Sequence, residues 1–156
     1  MAEQRLQSIA LPEGPPLPNP YAEADRAQAV ADLLAGNSFD PAGLPPGPYA
    51  LHLEIRDGRL VFAIHDAAEA PLRVIALALG PFRRLIKDYH LVVASHEQAV
   101  TEGGSEARIQ AIDMGRRGLH NEGAELLCQR LDGRVALDFE TARRLFTLVC
   151  ALHQRI

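Results

Sequence analysis

A chain of 156 residues, 47% hydrophobic and 23% charged, has the composition of one globular domain and is long enough to bury a sizeable core. No apolar run approaches the roughly 20 residues needed to cross a bilayer, and the opening MAEQRLQSIALPEGPP lacks the basic start and apolar core of a secretory signal, so the expected location is the cytoplasm. A net charge of −4 argues against general nucleic-acid binding, whose affinity comes largely from neutralising phosphates.

In chain order, Arg5 to Leu11 can form a short strand, whereas Pro12 to Pro20 carries five prolines in nine residues and cannot join a regular element. Residues 1–20 therefore read as an extended proline-rich lead-in to a single globular domain over 21–156. From Tyr21 to Ala35, Ala27, Val30, Ala31 and Leu34 recur at helical spacing and Gly36-Asn37 supplies a stop. Next, Tyr49, Leu51, Leu53 and Ile55 alternate with polar or small residues, the period of a strand with one buried face. Asp57-Gly58 is a hairpin signal, since a type I′ turn needs positive φ at both central residues. With those two in the turn, Ile55 faces Leu60, Leu53 faces Phe62 and Leu51 faces Ile64, and all six lie on one side of the ribbon. Leu72 to Leu79 reads as a third strand, central or covered on both faces because it is nearly all apolar.

Gly80-Pro81 opens a helix with proline at its first position. Its apolar stripe is Phe82, Leu85, Ile86, Tyr89, Val92, Val93 and Val100. After the Glu102-Gly-Gly turn, Ser105 is the expected N-cap of a helix to about Leu131, and Glu106 suits its positive end. Asp132-Gly133 interrupts the chain, Val135 to Leu137 pairs briefly as a strand, and Asp138 caps a last helix whose face is Ala142, Leu145, Phe146, Val149 and Leu152. Strands followed by helices give an α+β class: a small antiparallel sheet, hairpin plus third strand, packed against about four helices. Cys128 and Cys150 each sit inside an expected helix with no CxxC spacing, which makes them free buried thiols.

The chemistry-bearing residues concentrate on the helices. Arg83-Arg84, Arg116-Arg117 and Arg143-Arg144 are three dibasic pairs, and Lys87 follows Arg83 by one turn. Arginine matches phosphate and carboxylate bidentately, so an anion held by guanidinium forks would explain them; the plainer alternative is solvated helix faces paired with acids such as Asp88 and Glu140. On a helix, Asp113, Arg116, Arg117, His120 and Asn121 share a face, because three- and four-residue steps relate them. The neighbouring stripe of Ala111, Gly115, Gly118 and Glu122 has almost no bulk. Its glycines cost about 1 kcal/mol each against alanine, which points either to close approach of another helix or ligand or to a break at Gly115 or Gly118. An imidazole can act as general acid, general base or phosphoryl acceptor, with Asp113 as orienting partner for His120.

Histidine spacing gives no helical zinc pair. His52, Glu54 and His65 share the non-core face of the hairpin, a set chemically able to hold a metal but ordinary for a solvated face; the reading assigns no metal and no cofactor. GxSxG, Walker and GxGxxG motifs are all absent, which leaves serine hydrolase, P-loop and dinucleotide-binding readings unsupported.

The stretches AIDMGRRGLHNEGAELL and DFETARRLFTLVCALH, with PFRRLIKDY, GPYALHLEIRDGRLVFAI and ADLLAGNSF upstream, resemble a bacterial family known as uncharacterised protein family 0262, of alphaproteobacterial type. The resemblance runs from about Asp25 to His153. It implies a small cytoplasmic protein and supplies no activity.

Two functional expectations follow. The first is a noncatalytic regulatory or interaction module in which Arg83, Arg84, Lys87, Arg116, Arg117, Asn121, Arg143 and Arg144 receive a small anionic ligand or an acidic protein partner. The second is a small enzyme for a phosphorylated or carboxylated substrate, with His120, Glu122 and Asp113 in acid-base roles. An enzyme needs these groups to converge on one concave pocket, whereas a partner surface lets them spread. Helix faces with small residues also suggest a homodimer, and nucleic acid is the least supported partner.

Overall fold

Asp57 and Gly58 take φ values of 52° and 72°, the left-handed region that a type I′ turn requires. The turn sets the pairing of β3 (Tyr49–Arg56) with β4 (Arg59–Asp66), and Ile55 faces Leu60, Leu53 faces Phe62 and Leu51 faces Ile64 as expected. Their inward side chains form much of the core, with Leu51, Leu60, Phe62 and Ile64 fully buried. The structure, a computed structural model, describes residues 4–14 and 16–153. Of the expected organisation into 1–20 and 21–156, the first three residues, Pro15 and the last three lie outside that set.

β1 (Leu6–Ala10) lies parallel to β3, and β5 (Pro71–Ala78) runs antiparallel to β4, giving the order β1-β3-β4-β5. The sheet is therefore mixed: the hairpin and third strand are antiparallel, and the stretch ahead of the prolines adds a parallel edge. The last strand is an edge and not a central strand. Ile75 and Leu77 point into the core, but Val74 is exposed. Its apolar run reflects β-branched packing on a half-covered sheet, not burial on both faces. A second, two-stranded sheet pairs β2 (Phe39–Pro41), which has no clear sequence signal, with β6 (Val135–Leu137).

Among the described residues, four helices make up the layer against the sheet. α1 (Pro20–Ala35) is capped by the Asn19 side chain, which accepts from the Ala22 N–H at 3.0 Å. A 3₁₀ turn over Gly80–Phe82 leads into α2 (Arg83–Thr101). Leu85, Ile86, Tyr89 and Val93 are buried on α2, but Val100 is exposed and Ala99 takes the inward position near its end. α3 (Glu106–Leu131) is capped by Ser105 and runs unbroken through Gly115 and Gly118. α4 (Phe139–Leu152), capped by Asp138, sits at the centre of the helical layer: it packs on β3, α1, α2 and α3, and every residue from Leu145 to Cys150 is buried.

The glycines of α3 resolve into two kinds. A Cβ at Gly115 or Gly118 would meet nothing within 4 Å, whereas one at Gly123 would lie 2.3 Å from the Phe146 ring. Close helix approach is thus real but occurs at Gly123, where α3 crosses α4. No helix among the described residues is long and apolar enough to cross a membrane.

Candidate functional site

Three helices supply one polar cleft of about 280 Å³. From α1 come Asp25, Gln28, Ala29 and Asp32, spaced by three and four residues so that they share a face. From α3 come Arg116, Arg117 and His120, and from α4 come Arg143, Arg144 and Thr147. The same periodicity that buries one stripe of each helix thus sets a polar stripe at its margin.

Asp25 is the hub, although its side chain is only 10% exposed. Its Oδ2 accepts from Tyr89 Oη of α2 at 2.6 Å and lies 3.3 Å from His120 Nε2, while its Oδ1 accepts from Arg116 Nη1 at 2.7 Å. Burial pushes the Asp25 carboxyl up, but the His120 hydrogen bond and charge, the Tyr89 hydroxyl and Arg116 together hold it below the ordinary carboxylate range. The buried Tyr89 phenol is raised, first by desolvation and then by the Asp25 charge. Arg116 is raised despite its burial, because Asp25 leads the groups that stabilise its charge.

His120 is buried, with its ring 5.7 Å from that of Tyr89. Thr147 Oγ1 lies 3.2 Å from His120 Nε2 and donates to the Arg143 carbonyl at 3.1 Å. With the threonine proton so used, its lone pairs are left to accept, and a proton on Nε2 is shared between Thr147 and Asp25.

Asp113 does not orient His120. Its Oδ1 accepts from Tyr21 Oη at 2.6 Å and from Arg116 Nε at 2.9 Å, and its Oδ2 is 3.3 Å from Arg117 Nε. The Tyr21 ring in turn stacks on His96 with centroids 3.7 Å apart. Asp113 is therefore a support for the two arginines. The orienting role at His120 falls to Asp25, whose signal in the sequence is the polar Asp25-Gln28-Asp32 spacing on the first helix, beside its apolar stripe.

Arg143 is held by Glu140 at 3.2 Å, and Arg144 by the same carboxylate at 3.4 Å. Asp32 Oδ2 lies 3.7 Å from Arg144 Nε, too far for a hydrogen bond. The Nε–H groups of both Arg143 and Arg144 are buried without an acceptor.

The other expected site residues lie elsewhere. Glu122 and Asn121 are exposed, and Glu122 pairs with Arg84 Nη2 at 3.2 Å across α2 and α3. Arg84 also reaches Asp88 at 3.1 Å, and Arg83 and Lys87 are exposed on α2. None of these five residues lines the cleft. Of the sequence-derived set, the structure brings together Arg116, Arg117, His120, Arg143 and Arg144, and adds Asp25, Asp32, Tyr89 and Thr147.

The chain matches the uncharacterised protein family UPF0262 over residues 3–155. The chain belongs to the UPF0262 family. The match reaches upstream of Asp25 through the proline-rich stretch, so the family relationship is wider than the motifs alone suggest. A UPF0262 protein of Granulibacter bethesdensis is 61% identical, over 99% of this chain and 93% of the relative. One of Acidiphilium cryptum is 58% identical over 97% and 93%, and one of Agrobacterium fabrum 46% identical over 97% and 96%. No solved structure matches the chain.

Proposed function

We propose that this UPF0262 protein is a noncatalytic module that holds a small anion, a phosphate or short carboxylate, in the cleft between α1, α3 and α4. The observation that carries this reading is the convergence of Arg116, Arg117, Arg143 and Arg144 on one concave site, where Arg143 and Arg144 each keep a buried Nε–H without an acceptor. Leaving a buried donor unsatisfied costs about 1–3 kcal/mol, and an oxyanion would remove that cost. Asp113 and Glu140 hold the guanidiniums in place but do not line the cleft, so four cations face two carboxylates, Asp25 and Asp32, across it. A space of about 280 Å³ suits a small anion better than an acidic protein face, and lies just below the usual range for drug-sized ligands. The spread of Arg83, Arg84 and Lys87 over another surface leaves them to solvent in this reading, and a cytoplasmic location goes with it.

The test is thermal unfolding with phosphate, pyrophosphate and dicarboxylates, on the natural chain and on Arg143→Ala/Arg144→Ala. An anion at 100 times its Kd stabilises by about 2.7 kcal/mol, a rise in Tm of roughly 5–10 °C for a chain of this size, and the double variant should lose it. Absence of stabilisation by every anion, or equal stabilisation of the variant, would overturn the reading.

One observation favours a second reading, a small enzyme: His120 Nε2 meets an ionised Asp25 on the wall of the same cleft. Glu122 has no part in it. An anion that binds equally well to His120→Gln, with no turnover by the natural chain, leaves the binding module standing.

A further inference from the structure

On the opposite side of the molecule, the outer face of the hairpin gathers a second set of donors. His52 pairs with Ala63 and His65 with Ala50 across β3 and β4, so the two histidines are diagonal neighbours on one face. Their rings stack with centroids 4.2 Å apart. Two local devices bring a third donor over them. The β4–β5 register is irregular between Ile64 and His65, and such irregularities re-aim the side chain at the break. The following turn is tied by Asp66, whose Oδ1 accepts from the Ala68 and Ala70 N–H groups, both at 2.9 Å. Within that turn Glu69 takes a φ of 65°, uncommon for a residue with a side chain. Its carboxylate comes back over the hairpin: Oε2 lies 2.8 Å from His52 Nε2 and 3.3 Å from His65 Nδ1.

We propose that His52, His65 and Glu69 form a binding site for a divalent transition-metal ion of the zinc type. The three ligand atoms lie within 4.8 Å of one another. Ligands of a tetrahedral zinc, with bonds of about 2.0–2.1 Å, sit about 3.3 Å apart, so the set needs only small side-chain rotations to close on an ion. Two imidazoles and one carboxylate select zinc, cobalt, nickel or copper over calcium or magnesium, which prefer all-oxygen shells. Glu54, the carboxylate expected on this face from alternation alone, is engaged instead with Arg56. Three protein ligands leave at least one position for water or for an outside group, the arrangement of an open site and not of a closed structural one. The ion would also tie both hairpin strands to the β4–β5 turn.

The experiment is calorimetric titration of the tag-free, full-length protein with Zn²⁺, joined to the visible absorption of its Co²⁺ complex. The expected result is one equivalent bound with an affinity in the micromolar range or tighter (~10⁻⁶ M), and a Co²⁺ d–d band. His52→Ala and Glu69→Gln should each weaken binding by at least about tenfold, no less than is lost with outer-shell partners of bound metals, while Cys128→Ser should leave it unchanged. Glu69→Gln is the decisive variant, because Glu69 is an exposed turn residue whose loss spares the core. No saturable binding at ~100 µM metal, or equal binding by Glu69→Gln and His52→Ala, would overturn the proposal.

Discussion

On the side of α3 that faces α1 and α4, Arg116, His120 and Gly123 are enclosed by Asp25, Thr147 and Phe146. On the side turned away, Gly115, Gly118, Asn121 and Glu122 are exposed, and Glu122 meets the guanidinium of Arg84, whose side chain is itself 69% exposed. Both sides carry glycine, a charged group and a polar nitrogen. What separates them is water. An ion pair in solvent contributes about 0–1 kcal/mol because hydration competes with it, whereas removing one member of a buried pair leaves a charge with nothing in its place.

The largest expected effect is therefore on the inner side. Asp25→Ala leaves Arg116, His120 and Tyr89 without their shared acceptor and should cost about 3–5 kcal/mol in urea unfolding. A loss under about 1 kcal/mol would make the two sides equivalent and end the contrast. Gly123→Ala comes next: the methyl group must displace the Phe146 ring, an overpacking worth about 1–3 kcal/mol, read in the same experiment.

Acid sharpens the contrast without a large mutation. The Asp25 carboxyl is held below its ordinary range in the folded state, so its contribution is fully present above the unfolded value of about 3.9. Below about pH 5 the unfolded chain takes up the proton first, and stability falls as pH drops toward the folded value. Urea midpoints at pH 7, 5, 4 and 3 should show this decline, and Asp25→Asn should make it shallower, with Asp113, also held below its ordinary range, supplying part of what remains.

The outer side should respond weakly or in the opposite sense. Gly115→Ala and Gly118→Ala meet nothing within 4 Å and should each stabilise by up to about 1 kcal/mol, the helix-propensity difference. Smallest of all, Glu122→Gln should change stability by less than about 0.5 kcal/mol. A larger loss there would mean that the Arg84 pair is more than a surface contact.

Features decided within a few residues were legible before the fold was. Asp57-Gly58 and the alternation beside it set the hairpin register, and Ser105 and Asp138 announced two helix starts through their side-chain oxygens. Features decided by partners far along the chain were not. Val135 to Leu137 was legible as a brief strand, but its partner was not: β2 lies nearly a hundred residues away, with Phe39 facing Leu137, and three residues ahead of a proline-rich loop carry too little pattern to be seen alone. The arginine pairs on α3 and α4 were visible, yet their convergence depended on how α1 docks. Asp25 stayed hidden because an acid on a helix is ordinary until Tyr89, 64 residues later, donates to it. The Gly115 and Gly118 stripe misled for the opposite reason: low bulk permits close approach but does not require it.

β1 is five residues long and joins the sheet only through β3. Its presence means that β3, with its apolar inner face, has a neighbour on both sides and offers no free row of backbone donors and acceptors to another molecule. An N-terminal truncation or bulky fusion that displaced Leu6–Ala10 would bare that row, and an unpaired strand of this kind recruits further strands from other copies. The short segment ahead of the prolines thus covers the edge of β3, moves the sheet's open edge to a strand of five residues, and adds Leu6 to the core.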